Sequence, residues 1–523
     1  MNAFILGDKS LIEEDNYSCF KSIGITHLFA ISGMHISLLS QILLKLFKKF
    51  NTVLKYLIID LFLIFYGFIV CFPASIMRCI VFFIINSVNK VFSLNLSNKQ
   101  IFLITVMFLI LFNPYIIFDI GFLFSIITVG GIILCSDFIK DDNKLFLSFK
   151  LSLVAFLFSM PISLYSFYEI NLFSFFYNMI FIPFISIIVY PLALLTFFIP
   201  LFSKMFFLTI KILEWSSGFL ADFNLFNIHL SFNLFEVLLF YIGLYLVFAK
   251  QQKKWICLLI LIFLFDIIIP FFDKSSYVYF LDVNQGDSSL LISSYKKNVT
   301  FIDTGGVTNY DISEKYIPLL KYLGIKTINN VIITHGDYDH MGETFNLINN
   351  FKVENVIFNC GDFNNLESEL IELLDRKKIR YYSCINELNI DNNKLYFLQT
   401  KEYGNENNNS NVIYTKLDGY KFLFMGDASI TVEKEIMYKY DLSNIDVLKV
   451  GHHGSKTSSS IEFINKINPK YSIISVGKNN RYGHPNKAVL DNLSKSNVYR
   501  TDQDGSIIFR IKNNKLIIET CNP

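Results

Sequence analysis

Charge is what this sequence has least of. Only 17% of its residues are Asp, Glu, Lys or Arg, against about a quarter in soluble globular chains. A chain so short of charge is poorly suited to covering itself with hydrated surface. Its 53% hydrophobic content, with 56 Phe, points to a membrane. The shortage is local: apolar runs fill the first half, and almost none of comparable length follows Phe272. The formal balance is +2, so net charge by itself does not indicate a polyanion partner. Eight cysteines include no C-x-x-C pair. No disulfide framework can be read from them, and buried free thiols are expected for those in apolar segments. Met1 to Cys19 lacks a basic region ahead of an apolar core and carries Glu13, Glu14 and Asp15, so it does not read as a signal peptide. No G-x-x-x-x-G-K-[ST] pattern is present, so energy from ATP would need a partner.

The first half reads as a polytopic membrane domain, since a span needs about 20 mostly apolar residues. Val53 to Phe72, Ile101 to Phe118, Ile120 to Cys135, Leu145 to Phe167, Phe232 to Ala249 and Trp255 to Phe272 fit, some a little short, and Thr26 to Phe47 fits with polar interruptions. Leu172 to Phe202 is too long for one span and is interrupted at Pro183, Pro191 and Pro200. Two short spans or a broken helix are expected there. Met205 to Phe223, with Lys211, Glu214 and Asp222, is amphipathic enough for the interface. About seven to ten spans are expected. Lysine clusters at Lys45, Lys48, Lys49 and Lys55 and at Lys250, Lys253 and Lys254 mark cytoplasmic loops, and the second would leave the C-terminal part outside. Polar groups are expensive within the bilayer. His27, Ser32 and His35 occur in one apolar stretch, and Arg78 follows Pro73-Ala74-Ser75 in another. Any one could simply join helices, but the set favours a hydrophilic path.

After Pro270 the pattern changes. Tyr277–Val283, Ser289–Ile292 and Val299–Asp303 are of strand length, with a turn signal at Asn284-Gln285-Gly286-Asp287. Tyr310–Tyr322 and Glu367–Lys378 are predicted helices, and Asn405–Asn411 a polar loop. Strands alternating with helices indicate an α/β fold. Val331-Ile332-Ile333 leads into Thr334-His335-Gly336-Asp337-Tyr338-Asp339-His340, four potential metal ligands within six positions. Further strands end in Gly426-Asp427 and in Gly451-His452-His453-Gly454-Ser455, and Tyr482-Gly483-His484-Pro485 follows. Five of the eight histidines thus sit in strand-end turns of this half. Asp303 fits a residue that orients ligands better than one that binds metal.

His335-x-Asp337-x-Asp339-His340, Asp427 and His484 resemble the ligand series of the metallo-β-lactamase fold. Leu281-Asp282-Val283-Asn284-Gln285-Gly286-Asp287, His452-His453-Gly454-Ser455 and Arg481-Tyr482-Gly483-His484-Pro485 resemble, more narrowly, the hydrolase domain of the ComEC competence family. His27-Leu28-Phe29-Ala30-Ile31-Ser32-Gly33-Met34-His35 and Pro73-Ala74-Ser75 with Arg78 resemble that family's membrane domain. The resemblance implies an N-terminal segment over 1–24, a polytopic α-helical membrane domain over 25–273, and an α/β metallo-β-lactamase-like sandwich (αββα) over 274–523. It implies an inner-membrane, multi-pass channel for single-stranded DNA in natural transformation. A tethered metal-dependent phosphodiesterase would degrade the other strand.

 The implied enzyme is a metal-dependent deoxyribonuclease of the metallo-β-lactamase superfamily.

By that resemblance His335 and Asp337 hold one divalent ion, Asp339, His340 and His484 the other, and Asp427 bridges them. Asp339, His452 and His453 are the implied catalytic residues, with a histidine of the pair as general acid. Asp303, Asp287 and Ser455 stand behind them, and His27, Ser32, His35 and Arg78 mark the membrane path. The family commonly carries an oligonucleotide-binding domain ahead of the membrane domain, and this sequence starts near where the membrane domain usually begins. The broader fold has a second His at Asp337 and a third near Asn409-Ser410, where this sequence has none. Three carboxylates among six ligands favour manganese, with zinc the alternative. DNA, the lipid membrane and competence-machinery partners, including a separate ATP-driven translocase, are the expected partners. A homodimer is expected if the spans are too few to enclose a strand. The hydrolase domain is expected on the outer face. Two other readings are a membrane-anchored hydrolase of another phosphodiester with no channel, and a channel with an idle hydrolase domain.

Overall fold

The computed structural model describes every residue except Ala30, 222–225, 308–311, 399–400 and 522–523. Asp222 and Phe223 of the amphipathic segment, Tyr310 and Asp311 of the first predicted helix and Ala30 of the polar stretch therefore lie outside the described residues. The chain forms two compact units, Met1–Leu264 and Phe265–Pro523.

The first unit is helical. Among the described residues four helices are long and apolar enough to cross a membrane: Thr52–Ile69, Ala74–Phe92, Lys144–Ser166 and Ser174–Phe198. Four shorter apolar helices are Gly33–Leu46, Asn98–Phe112, Ile120–Leu134 and Leu234–Phe248. Their starts follow local chemistry. The Asn51 side chain accepts from Leu54 N at 2.8 Å, and Ser97 with Gln100 and Asn233 with Glu236 form capping boxes. Only 17–28% of the residues in the four long spans are buried within the protein. Their remaining surface, including Leu61, Phe65 and Phe68, is apolar and exposed, as lipid contact requires.

The segment around Pro183 departs from expectation. Ser174–Phe184, Ile185–Val189 and Tyr190–Phe198 run on as one helix, with a π-helical turn in the middle. Proline removes one backbone donor and crowds the preceding turn. A widened turn relieves this without ending the helix. The chain breaks only at Ile199 and Pro200.

The second unit has two sheets. One has eight strands in the order Lys515–Thr520, Ile507–Lys512, Ser276–Phe280, Ser288–Ile292, Val299–Thr304, Thr327–Ile332, Lys352–Phe358 and Arg380–Ser383. The other has seven: Asn497–Arg500, Tyr471–Ile474, Val447–Lys449, Tyr420–Phe424, Ile413–Leu417, Asn393–Phe397 and Glu387–Ile390. Successive strand residues face opposite ways. Phe280, Leu291, Ile302, Ile332 and Ile357 meet Ile413, Phe422, Phe424, Val447 and Ile473 between the sheets. Their neighbours Tyr279, Leu290, Phe301, Val331 and Val356 face a second core with Tyr316, Leu347 and Leu370 from helices. Leu423, Leu448 and Ile474 face a third, with Val432, Phe463 and Val489. The layers are therefore helix, sheet, sheet, helix. Burial on both faces explains why these strands read as unbroken apolar runs.

The last four strands of the first sheet, Val299–Thr304 to Arg380–Ser383, are mutually parallel. So are Tyr420–Phe424, Val447–Lys449, Tyr471–Ile474 and Asn497–Arg500. Parallel pairing puts carboxyl ends on one edge, where ligand-carrying turns collect. A disulfide joins Cys360 and Cys384, just past the ends of Lys352–Phe358 and the exposed edge strand Arg380–Ser383. The sequence did not reveal this pair. A helical crossover, Asn365–Lys377, separates its members in the chain, and only parallel register unites them.

Candidate metal centre

Each functional turn leaves the carboxyl end of a strand. Thr327–Ile332 runs into His335, and Asp337 starts the short helix Tyr338–Met341, which carries Asp339 and His340. Tyr420–Phe424 delivers Asp427, and Val447–Lys449 delivers His452 and His453. Both of these histidines are left-handed, at φ 49° and 52°. That conformation is unfavourable for residues with a side chain and recurs at functional sites. It sends one ring outward and one inward: His452 is 27% exposed and His453 3%.

Asp427 is the centre of the arrangement. Its Oδ2 lies 4.0 Å from His335 Nε2 and 3.6 Å from His452 Nε2. Its Oδ1 lies 3.3 Å from His340 Nε2 and 4.0 Å from His453 Nε2. Asp337 Oδ2 is 3.4 Å from His335 Nε2, and Asp339 Oδ2 is 3.3 Å from His453 Nε2. Among the described residues three compact donor groups result, His335–His340–Asp427, Asp339–His340–His453 and, behind them, Asp287–Asp303–His340. His335 Nε2, His340 Nε2, His453 Nε2 and Asp427 Oδ1 are buried with no hydrogen-bond partner. Orphaned buried polar atoms are rare and costly, and four that converge fit divalent cations.

The outer hydrogen bonds fix which imidazole nitrogen faces inward. Asp303 Oδ2 accepts from His340 Nδ1 at 2.8 Å, while its two oxygens also accept from Thr334 N and Oγ1, each at 2.7 Å. His453 Nδ1 lies 3.1 Å from the Ser475 carbonyl and 3.2 Å from Asp287 Oδ1. A carbonyl only accepts, so Nδ1 carries the proton and Nε2 turns its lone pair to the cluster. Asp287 is itself held by Lys449 Nζ at 2.6 and 2.7 Å. Gly286, at φ 135°, lets this turn pass under Asp339, where an added Cβ would come 2.4 Å from the Asp339 carbonyl oxygen.

The electrostatics follow from burial and proximity. Burial pulls His340 and His453 down, but facing carboxylates prevail. Asp427 and Asp303 hold His340 well above the ordinary imidazole value. Asp427 and Asp287 push His453 up to about 10. Burial alone would raise Asp427, yet His340 and His453 keep it well below the usual carboxylate range. The metal-free cluster therefore holds protons that a cation must displace, which makes metal affinity pH-dependent.

The other expected residues lie farther out. His484 is in none of the compact donor groups; its ring centroid is 6.0 Å from that of His452. Ser455 is buried and accepts from Thr457 Oγ1 at 3.0 Å, and that hydroxyl lies 3.1 Å from His452 Nδ1. Where the sequence lacks a third histidine, Ser410 stands instead: its hydroxyl accepts from Asp427 N at 3.0 Å and is 3.3 Å from His335 Nδ1. Sequence reasoning missed Lys449, although a lone charge in Val447-Leu448-Lys449-Val450 requires a partner. It also missed Asn364 and Glu406, which hold the loop at Gly336, and Glu367, which accepts from Asn364 N. Asn364 Nδ2 donates to Gly336 O at 2.7 Å, and Gly336 N donates to Glu406 Oε1 at 3.0 Å.

In the first unit, Ser32, His35 and Arg78 gather around one helix start. His35 Nδ1 accepts from Ser32 N at 3.1 Å. An added Cβ at Gly33 would lie 3.1 Å from an Arg78 guanidinium nitrogen. Arg78 is buried and donates to Ser125 Oγ at 2.6 Å. His27 lies in the turn Thr26–Phe29, is exposed, and shares none of these contacts among the described residues.

Comparison with known proteins agrees with both halves. Residues 4–254 match the model of the family described as competence protein, and residues 281–478 that of the metallo-beta-lactamase superfamily. The chain is 29% identical to ComE operon protein 3 of Bacillus subtilis, over 98% of this chain and 71% of that protein. It is 25% identical to competence protein ComA of Neisseria gonorrhoeae, over 97% and 74%. It is 23% identical to recombination protein 2 of Haemophilus influenzae, over 99% and 72%.

Proposed function

We propose the following activity for this chain, which belongs to the ComEC family of DNA-uptake competence proteins. The membrane unit conducts one DNA strand, and the second unit is a metal-dependent phosphodiesterase that degrades the other. The observation that carries the hydrolase reading is the convergence of three orphaned, buried imidazole nitrogens, from His335, His340 and His453, on Asp427, whose own Oδ1 is orphaned too. An idle domain gains nothing from that cost.

In this reading His335 and Asp337 would hold one cation and Asp339, His340 and His453 the other, with Asp427 available to both. His484 serves at the rim. When bound, the ions supply Lewis-acid activation of a phosphodiester and of water. Asp303 and Asp287 keep His340 and His453 in the ligating tautomer. His452, part exposed and tethered by Thr457, donates a proton to the leaving oxygen. The carboxylate-rich donor set favours manganese over zinc.

Arg78, Ser32 and His35 line the strand path. His35 Nε2, buried without a hydrogen-bond partner, supports a wet route there. An ATP-driven translocase supplies the energy. The hydrolase unit faces outward, supported by the lysine clusters and by the Cys360–Cys384 disulfide, which persists in an oxidising compartment.

The test uses the purified full chain in detergent with single- and double-stranded DNA, and with manganese, zinc or chelator. Manganese-dependent cleavage, abolished by Asp339→Ala, is expected. A folded, metal-loaded chain that cuts nothing would refute the hydrolase reading and leave an idle domain. Activity with zinc alone and no response to manganese would refute the metal preference.

A further inference from the structure

The two turns that present His452 and His484 carry a second kind of chemistry. Lys456, Lys478, Arg481 and Lys487 are all exposed there, while residues 451–460 and 476–490 contain no Asp or Glu. None of the four cations forms an ion pair among the described residues. In a chain with a net charge of only +2 this is a concentrated basic surface.

An aromatic ring stands among these cations. Tyr482 is 57% exposed. The Arg481 guanidinium lies over its ring, 5.2 Å from the centroid, and donates to its hydroxyl at 3.1 Å. The Tyr482 ring is within 14° of parallel to that of His484, with centroids 5.9 Å apart. His484 in turn neighbours His452, whose Nε2 is 3.6 Å from Asp427. Planar groups thus lead from solvent to the metal donors. A single exposed tyrosine needs no explanation. One that neighbours a guanidinium and an imidazole, amid cations without ion pairs and beside a proposed phosphodiester site, has the composition of a nucleic-acid strand groove.

We infer that Arg481 and Tyr482 form a stacking platform for an unpaired base, with Lys456, Lys478 and Lys487 following the phosphates of the same strand. In a duplex the base faces are covered by their neighbours, so such a platform engages a single strand or a frayed end. The hydrolase site accordingly selects unpaired DNA. This inference rests on the phosphodiesterase reading, whose substrate it narrows.

The test measures binding, so that it does not depend on turnover. Full-length Asp339→Ala protein in detergent is titrated against fluorescent single-stranded and duplex oligonucleotides of equal length, read by anisotropy. The single strand is expected to bind more tightly. Adding Tyr482→Ala should weaken it about tenfold, within the range of base–aromatic stacking, and leave duplex binding unchanged. Tyr482→Phe should restore it, and Tyr438→Ala, at a 94% exposed tyrosine, should have no effect. Lys478→Ala should reduce the slope of log affinity against log salt by about 0.7, one phosphate contact to a single strand. Equal binding by Tyr482→Ala and its parent would overturn the platform, as would equal weakening of single strand and duplex. A small chromogenic phosphodiester, offered to the wild-type chain with manganese, tests hydrolysis separately. Its failure would remove the nuclease and leave the binding result standing.

Discussion

Asp287→Asn should cost the second unit far more stability than an ordinary polar substitution. Both Asp287 oxygens lie within 2.7 Å of Lys449 Nζ, and the two side chains are only 5% and 2% exposed. At an effective dielectric of about 20 the attraction is about 6 kcal/mol. Desolvating the two charges offsets much of it. Removing one partner loses the attraction but leaves the other charge buried, which costs about 3–5 kcal/mol. For a domain of this size each kcal/mol lowers the melting midpoint by about 2–4 °C. Asp287→Asn and Lys449→Met should therefore each lower it by about 6–20 °C, read by scanning fluorimetry on the chelated, purified chain. The double variant, which leaves no stranded charge, should recover part of the loss. The sign against pH is fixed as well. Burial works against ionised Asp287, but Lys449 and His453 hold its carboxyl below the ordinary value. Its contribution is present above about pH 4 and is lost as pH falls further. Because Asp287 also orients His453, Asp287→Asn should weaken metal binding about 10–100-fold. A loss below about 2 °C for both single variants would refute the reasoning, since a buried pair cannot be broken so cheaply.

Three other outcomes are expected. Gly286→Ala should abolish metal retention, measured by elemental analysis after gel filtration, because its Cβ meets the Asp339 carbonyl oxygen at a φ only glycine accepts readily. Cys360→Ser should destabilise the second unit by about 3 kcal/mol, as expected for a disulfide closing a loop of 24 residues, and reductant should have no further effect on that variant. Burial, with Glu406 and Asp337 nearby, pushes the Glu367 carboxyl up to about 6 from 4.5. Its stabilising contribution is complete below pH 4.5 and is lost as pH rises through about 6, an amount of about 2 kcal/mol. Glu367→Gln should remove that loss in melts of the chelated chain at pH 4.5 and 7; an unchanged pH slope would contradict it.

Much of this protein was already determined by the order of its residues. The scarcity of charge and the long apolar runs require a lipid-covered first unit, because hydrocarbon tolerates neither charge nor unpaired backbone. Strand-length apolar runs ending in Gly, Asp and His dictate strands that empty into polar turns, and they identify His335, His340, Asp427 and the His452-His453 pair as chemistry-bearing. Only tertiary structure decided the rest. Spacing along a chain does not encode distance across a sheet edge. Parallel register had to bring Val447–Lys449 beside Tyr420–Phe424 before His453 met Asp339 and Asp427. Parallel pairing of Lys352–Phe358 with Arg380–Ser383 joined Cys360 to Cys384, and packing of one sheet on the other set Lys449 against Asp287. The left-handed backbone at His452 and His453 then chose which ring faces inward. A turn of two adjacent histidines looks symmetrical in sequence, and only the tertiary structure separates the buried His453 from the part-exposed His452.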